Sequence, residues 1–119
     1  MAKFNLQTAQ GNFSSGLSAY TEKQYLLPEV DILEDEAEIY YIYELPGIDT
    51  ATLNVELSSD QIFVTANSRQ RDKKLVHQER KRGNFFRQLP LPDNVDRDSA
   101  QADFNQGILE ISFTKENTF

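Results

Sequence analysis

The residues able to do chemistry in this chain are few, and their spacing points to binding in place of catalysis. His77 is the single histidine among 119 residues, and cysteine is absent. No site of several imidazoles or thiolates can be built, and a Ser-His-Asp triad would have to run through His77. That ring sits in a charged stretch two residues before Glu79, where an exposed histidine is expected. Glu34, Asp35, Glu36 and Glu38 crowd their carboxylates together, but without the D-x-[DN]-x-[DN]-G spacing that wraps calcium. They read as a solvated turn. The G-x-x-x-x-G-K-[ST] loop of a P-loop ATPase is missing. The expectation is therefore no enzyme, no metal and no cofactor.

Charge is distributed more tellingly than the net value of −7 conveys. Residues 29 to 60 carry ten acidic side chains and no basic one. Residues 67 to 87 hold eight of the twelve basic side chains, opposed only by Asp72 and Glu79, which leaves that segment at +6. Such a chain can pair one segment with the other, within a subunit or between subunits. Phosphate binding by Arg69 to Arg82 fits less well, because no aromatic residues interleave the cations and the whole chain is acidic. No nucleic-acid partner is expected, and no amphipathic helix suggests a lipid surface.

The elements that must position these groups are strands. The length suits one domain. No apolar run nears the roughly 18 residues that span a bilayer, and residues 1 to 7 have no secretory apolar core; the cytoplasm is the default location. Residues 1 to 27 are polar with scattered apolar positions and sustain no period, so they read as a mobile arm. Val30 to Glu34 begins the domain as an edge strand, and Asp35-Glu36-Ala37 turns the chain. In Glu38 to Leu45, Ile39, Tyr41, Tyr43 and Leu45 share one face. Pro46-Gly47 ends that strand. Further strands are expected at Thr52 to Leu57, Gln61 to Ala66 and Asn84 to Leu91. A final hairpin covers roughly 100 to 114, turning at Asn105-Gln106-Gly107 with Leu109, Ile111 and Phe113 on one face. Seven or eight short strands and no helix imply an all-β antiparallel sandwich of immunoglobulin-like arrangement. Periodicity alone would leave a carbohydrate module, an adhesin domain or a co-chaperone open.

Three motifs in order narrow the choice. They are Glu44-Leu45-Pro46-Gly47-Ile48, then Glu79-Arg80 followed by Gly83, Phe85, Arg87 and Leu91-Pro92, then Ala102 with Asn105, Gly107, Ile108 and Leu109. In this order and spacing, residues 28 to 115 resemble the α-crystallin domain of the small heat-shock proteins. The resemblance implies an ATP-independent chaperone that binds unfolding proteins, with residues 1 to 27 as a flexible arm and 116 to 119 as a short tail. It implies a homodimer in which the loop from Asn67 to Arg82 lends Leu75 to Glu79 to the partner's Val30 to Leu33 strand. Val30, Ile32, Leu75, Val76, His77, Glu79, Arg80 and Arg87 would form that interface, with Arg87 meeting an acidic residue across it. A groove for tails or clients would lie between the strand carrying Leu53, Val55 and Leu57 and the one carrying Ala102 and Phe104. Phe4, Phe13, Leu17, Tyr20 and Tyr25 would make the arm adhesive.

Departures from the family pattern matter too. Thr114 to Phe119 contains no Ile-x-Ile/Val motif, so the groove is expected to be unfilled and assemblies to be dimers or small oligomers. The loop is a few residues short. A structural protein of spore-coat type stands as the alternative, and a co-chaperone of the CS-domain type is disfavoured by the hairpin signature.

Overall fold

Alternation of apolar and polar side chains decides the architecture. The computed structural model describes Ala2–Lys3 (β1), Leu6–Thr8 (β2) and residues 25–116. In the last of these lie β3 (Val30–Glu34), β4 (Glu38–Glu44), β5 (Asn54–Leu57), β6 (Gln61–Asn67), β7 (Asn84–Pro90), β8 (Val95–Asn105) and β9 (Ile108–Lys115). One sheet runs β1-β8-β9-β4-β3 and the other β2-β5-β6-β7. Seven strands from residue 30 onward thus form the expected antiparallel sandwich, and β1 and β2 are additional. The core is the sum of the inward faces: Tyr41, Tyr43, Leu109, Ile111 and Phe113 from one sheet, Val55, Leu57, Ile62 and Val64 from the other, all buried. Each such side chain contributes roughly 1.5–3 kcal/mol on leaving water. Tyr41 packs edge-on to Phe113 at 6.0 Å, and its hydroxyl donates to the Pro90 carbonyl at 2.9 Å, joining the two sheets.

Turn chemistry fixes the registers. The hairpin between β8 and β9 is a two-residue turn with Gln106 at φ 52° and Gly107 at φ 82°, the mirror-image geometry that suits twisted strands. A Cβ at position 107 would stand 3.4 Å from the Cα of Pro46, so the glycine also lets the hairpin lie against the Pro46-Gly47 turn. The Leu45 amide donates to the Gly107 carbonyl at 2.7 Å across that contact.

Three expectations need revision. The final hairpin is longer than anticipated, because β8 begins at Val95 and absorbs an irregularity between Asp96 and Gln101. Thr50–Thr52 forms a single 3-10 turn capped by the Asp49 side chain, which accepts from the Ala51 amide. Leu75 to Glu79 lies in the connection between β6 and β7 and has no strand pairing within the one chain. The amino-terminal segment is not wholly a free arm, because β1 and β2 join the sheets. Residues 25 to 27 also dock. Leu26 donates to the Asn84 carbonyl at 2.9 Å and accepts from the Phe86 amide at 3.1 Å, and Tyr25 packs on Phe86 at 5.7 Å.

Candidate functional site: the sheet edges

The ladder phase determines what each edge of the sandwich offers. Between β3 and β4, the Asp35 amide donates to Glu38 and the Glu44 amide to Glu29, both at 3.0 Å. Partners alternate between bonding inward and facing away. With Ile32 opposite Tyr41 and Val30 opposite Tyr43, the main-chain groups of Asp31 and Leu33 face β4, and those of Val30 and Ile32 face outward. β3 is thus an edge with its donors and acceptors presented. Ile32 and Leu33 are about half exposed, as is Leu75, and Val76 is 89% exposed.

The loop from 68 to 83 is tied at its neck. The Ser68 amide donates to the Gly83 carbonyl at 2.9 Å, the Gly83 amide to Ser68 Oγ at 3.0 Å, and the Arg69 amide to the Gly47 carbonyl at 2.8 Å. A cavity of about 470 Å³ lies between this loop and the Pro46-Gly47 turn, lined by Arg69, Arg71, Leu75, His77, Arg80 and Phe104 among others. Arg80 lies over Gly47, where a Cβ would come within 3.1 Å of its Nη2. His77 Nε2 and Glu79 Oε2 are 2.7 Å apart with both side chains exposed, an arrangement worth little to stability. The loop therefore presents Leu75, Val76, His77, Glu79 and Arg80 to solvent. Arg87 is half-buried and donates through Nη1 to the Pro28 carbonyl at 3.0 Å. No carboxylate lies within 4.0 Å of it among the described residues.

The acidic turn is structural. Asp35 Oδ1 accepts from the Ala37 and Glu38 amides at 2.8 Å each, and Lys115 Nζ sits 2.7 Å from Glu34 Oε1 and 2.7 Å from the Asp35 carbonyl. The bond from the Glu38 amide, then that from Ala37, holds the Asp35 carboxyl below its ordinary 3.8. Tyr40 shares its hydroxyl between Glu38 and Asp35, and donation to Glu38 foremost pushes its phenol up to about 12.

On the other side of the sandwich the expected groove is corrected twice. Leu53, Val55, Leu57 and Phe104 are core residues, each under a tenth exposed, and only Ala102 is partly accessible. What their strands present sideways is main chain. The Ser58 amide donates to Gln61 at 3.0 Å, which sets the β5–β6 phase so that Val55 and Leu57 aim their amides and carbonyls away from β6. Nor is the edge unfilled. β2 lies parallel to β5 with Leu6 opposite Val55 and Thr8 opposite Leu57, and β1 lies antiparallel to β8 with Ala2 opposite Phe104 and Lys3 opposite Asp103. Sequence reasoning missed this pairing. Its only signal was the alternation of Phe4 and Leu6 with Lys3, Asn5 and Gln7. Of the arm's proposed adhesive residues, Tyr25 is docked on Phe86. Phe4, Phe13, Leu17 and Tyr20 lie outside the described residues, as do residues 117 to 119. The turn residues Asn105, Gly107, Ile108 and Leu109 stand where the hairpin signature put them.

Known proteins share this architecture. The small heat-shock protein from Xylella fastidiosa superposes with a TM-score of 0.70 at 28% identity, covering 81% of this chain and 92% of that one. HSP18.5 from E. histolytica gives 0.72 at 24% identity, over 79% and 92%, a likeness of fold. Small heat shock protein C4 of Rickettsia felis is 30% identical over 114 residues, 88% of this chain and 70% of its own length. The Hsp20/alpha crystallin family matches residues 31–118, about three quarters of the sequence. With the Leu45-Pro46-Gly47 turn, the Arg87 strand and the Gly107 hairpin all in their places, the chain belongs to the Hsp20/α-crystallin family, that of the small heat-shock proteins.

Proposed function

We propose that the chain is an ATP-independent holdase that works as a homodimer, binding unfolding proteins and keeping them from aggregating. Family membership carries this reading. The β3 edge, left unpaired among the described residues and carrying exposed Ile32 and Leu33, supports its dimeric part, as does the separate exposure of Leu75 and Val76 on the loop. In this reading Leu75 to Glu79 of one copy adds to β3 of the other, where the outward groups of Val30 and Ile32 receive it. The +6 loop then lies against the acidic stretch from residue 29 onward, and Arg80 and Arg87 find carboxylates on the neighbouring copy. Clients attach to apolar positions of the amino-terminal arm, Phe13, Leu17 and Tyr20 among them, in the cytoplasm. Heat exposes the client's apolar surface, so capture requires no nucleotide.

The test is light scattering of a heated model client at one to one, without ATP. The parent chain should suppress scattering, and a Phe13→Ser/Leu17→Ser/Tyr20→Ser variant should lose most of that suppression while remaining folded and dimeric. Absence of suppression by the folded parent would reject the holdase and favour an assembly role.

A further inference from the structure

The amino-terminal stretch touches the sandwich on both flanks. Leu26 bridges to Phe85 beyond β7, at one end of the β2-β5-β6-β7 sheet. Residues 6 to 8 close the other end, and residues 2 and 3 close the β8 edge of the facing sheet. Val55 and Leu57 aim their main-chain groups at β2. Gln7, placed between their partners Leu6 and Thr8, is therefore the residue whose amide and carbonyl face β5 in a parallel ladder. On β8, the two-residue turn sets a phase in which Phe104 faces β1, so Ala2 and Phe104 bond and Lys3 and Asp103 form the closer, non-bonded pair.

We propose that Ala2–Lys3 and Leu6–Thr8 are a clip held in cis across the edges of β8 and β5, and that any other extended segment must displace it to enter there. Two lines of argument favour the chain's own segment over that of a second copy. The sixteen residues from 9 to 24 can extend to roughly 55 Å. Crossing the sheet from beyond β7 to β2 needs only about 19 Å, four steps of the usual strand spacing. A tether with that slack presents its end at an effective concentration in the millimolar range, well above that of free copies in dilute solution. The clip is also short, pairing two residues on one sheet and three on the other, so it covers the edges without locking them. An edge left open would template pairing with other chains. The inference concerns edge pairing and stands whether or not the holdase reading holds.

Because the chain has no cysteine, disulfide trapping is clean. Lys3→Cys/Asp103→Cys and Gln7→Cys/Glu56→Cys place thiols at opposed register positions, within reach of a disulfide. On oxidation of the full chain both pairs should give intrachain bonds that run at monomer mass on a non-reducing gel. Bonds between chains would overturn the cis assignment, and no bond in either pair would overturn the clip. Displacement is read with a fluorescent peptide of residues 2 to 8 against the full chain. Gln7→Pro removes the donor that faces β5 and should bind the peptide at least about tenfold more tightly than the parent. Equal affinity would overturn the requirement for displacement.

Discussion

The two flanks of this sandwich are built alike and finished differently. On one flank the edges of β5 and β8 carry short strands from the same chain. On the other, β7 is bordered by Leu26, and β3 presents the outward groups of Val30 and Ile32 beside exposed Ile32 and Leu33. Both flanks begin with the same liability, a row of unpaired main-chain groups. Three of the four sheet edges are bordered by residues that precede Pro28, and the described residues leave the edge of β3 uncovered. Covering therefore selects where the molecule can add a strand. A bare edge accompanied by apolar side chains invites a partner, whereas a clipped one discourages it.

Perturbations can sharpen that contrast. The largest effect should come from the closed flank. Leu57→Ala removes a core side chain that is only 3% exposed, and should lower unfolding free energy by about 2–5 kcal/mol in a urea titration. An exposed groove residue would cost under about 1 kcal/mol, so a small loss would return Leu57 to the surface role first expected of it. Next is the bare flank. Ile32→Pro removes an outward donor without touching the β3–β4 ladder, so dimer affinity in sedimentation should fall roughly 100-fold, from about 3 kcal/mol of lost pairing, with little change in melting. Unchanged dimers would place the interface elsewhere. Raising salt from physiological to molar should weaken the dimer by about tenfold, as the screening length shrinks from roughly 8 Å to 3 Å. A dimer indifferent to salt would remove the basic loop from the interface. The smallest effect belongs to the turn that feeds β3. The Asp35 carboxyl is held below 3.8 in the folded chain, so the stability it contributes is present above that value and is lost as pH falls through its lowered one. Asp35→Asn should flatten the acid limb of a stability profile below about pH 4 and leave neutral pH slightly less stable; an unchanged acid limb would discount the two amide bonds.

Much of this was legible in the residues. The alternation of Ile39, Tyr41, Tyr43 and Leu45 and that of Leu109, Ile111 and Phe113 place one inward face each, and Gly107 announces the hairpin. Those signals are local and repeat over several positions. The clip was not legible because its pairing is non-local and its side-chain period spans only Phe4 and Leu6. Val55 and Leu57 illustrate a different failure. Their alternation fits a core, and the family resemblance fits a groove. The strand satisfies both by sending side chains inward and main chain sideways. Leu75 to Glu79 has strand-like residues, and the edge it is expected to join belongs to another copy.

The neck of the long loop has a kinetic consequence. Ser68 and Gly83 close it within one chain, with Gly83 at φ 150°, so the neck stays anchored to the sandwich whatever the tip meets. In the proposed dimer, passing that tip from one copy to another would break no contact of the β4–β9 core. Partner exchange in that dimer would then be uncoupled from unfolding. Subunits mixed from two labelled populations should trade within the lifetime of the folded monomer, well before the amide of Ile111 exchanges with solvent. The sandwich can stay rigid while its partnerships turn over.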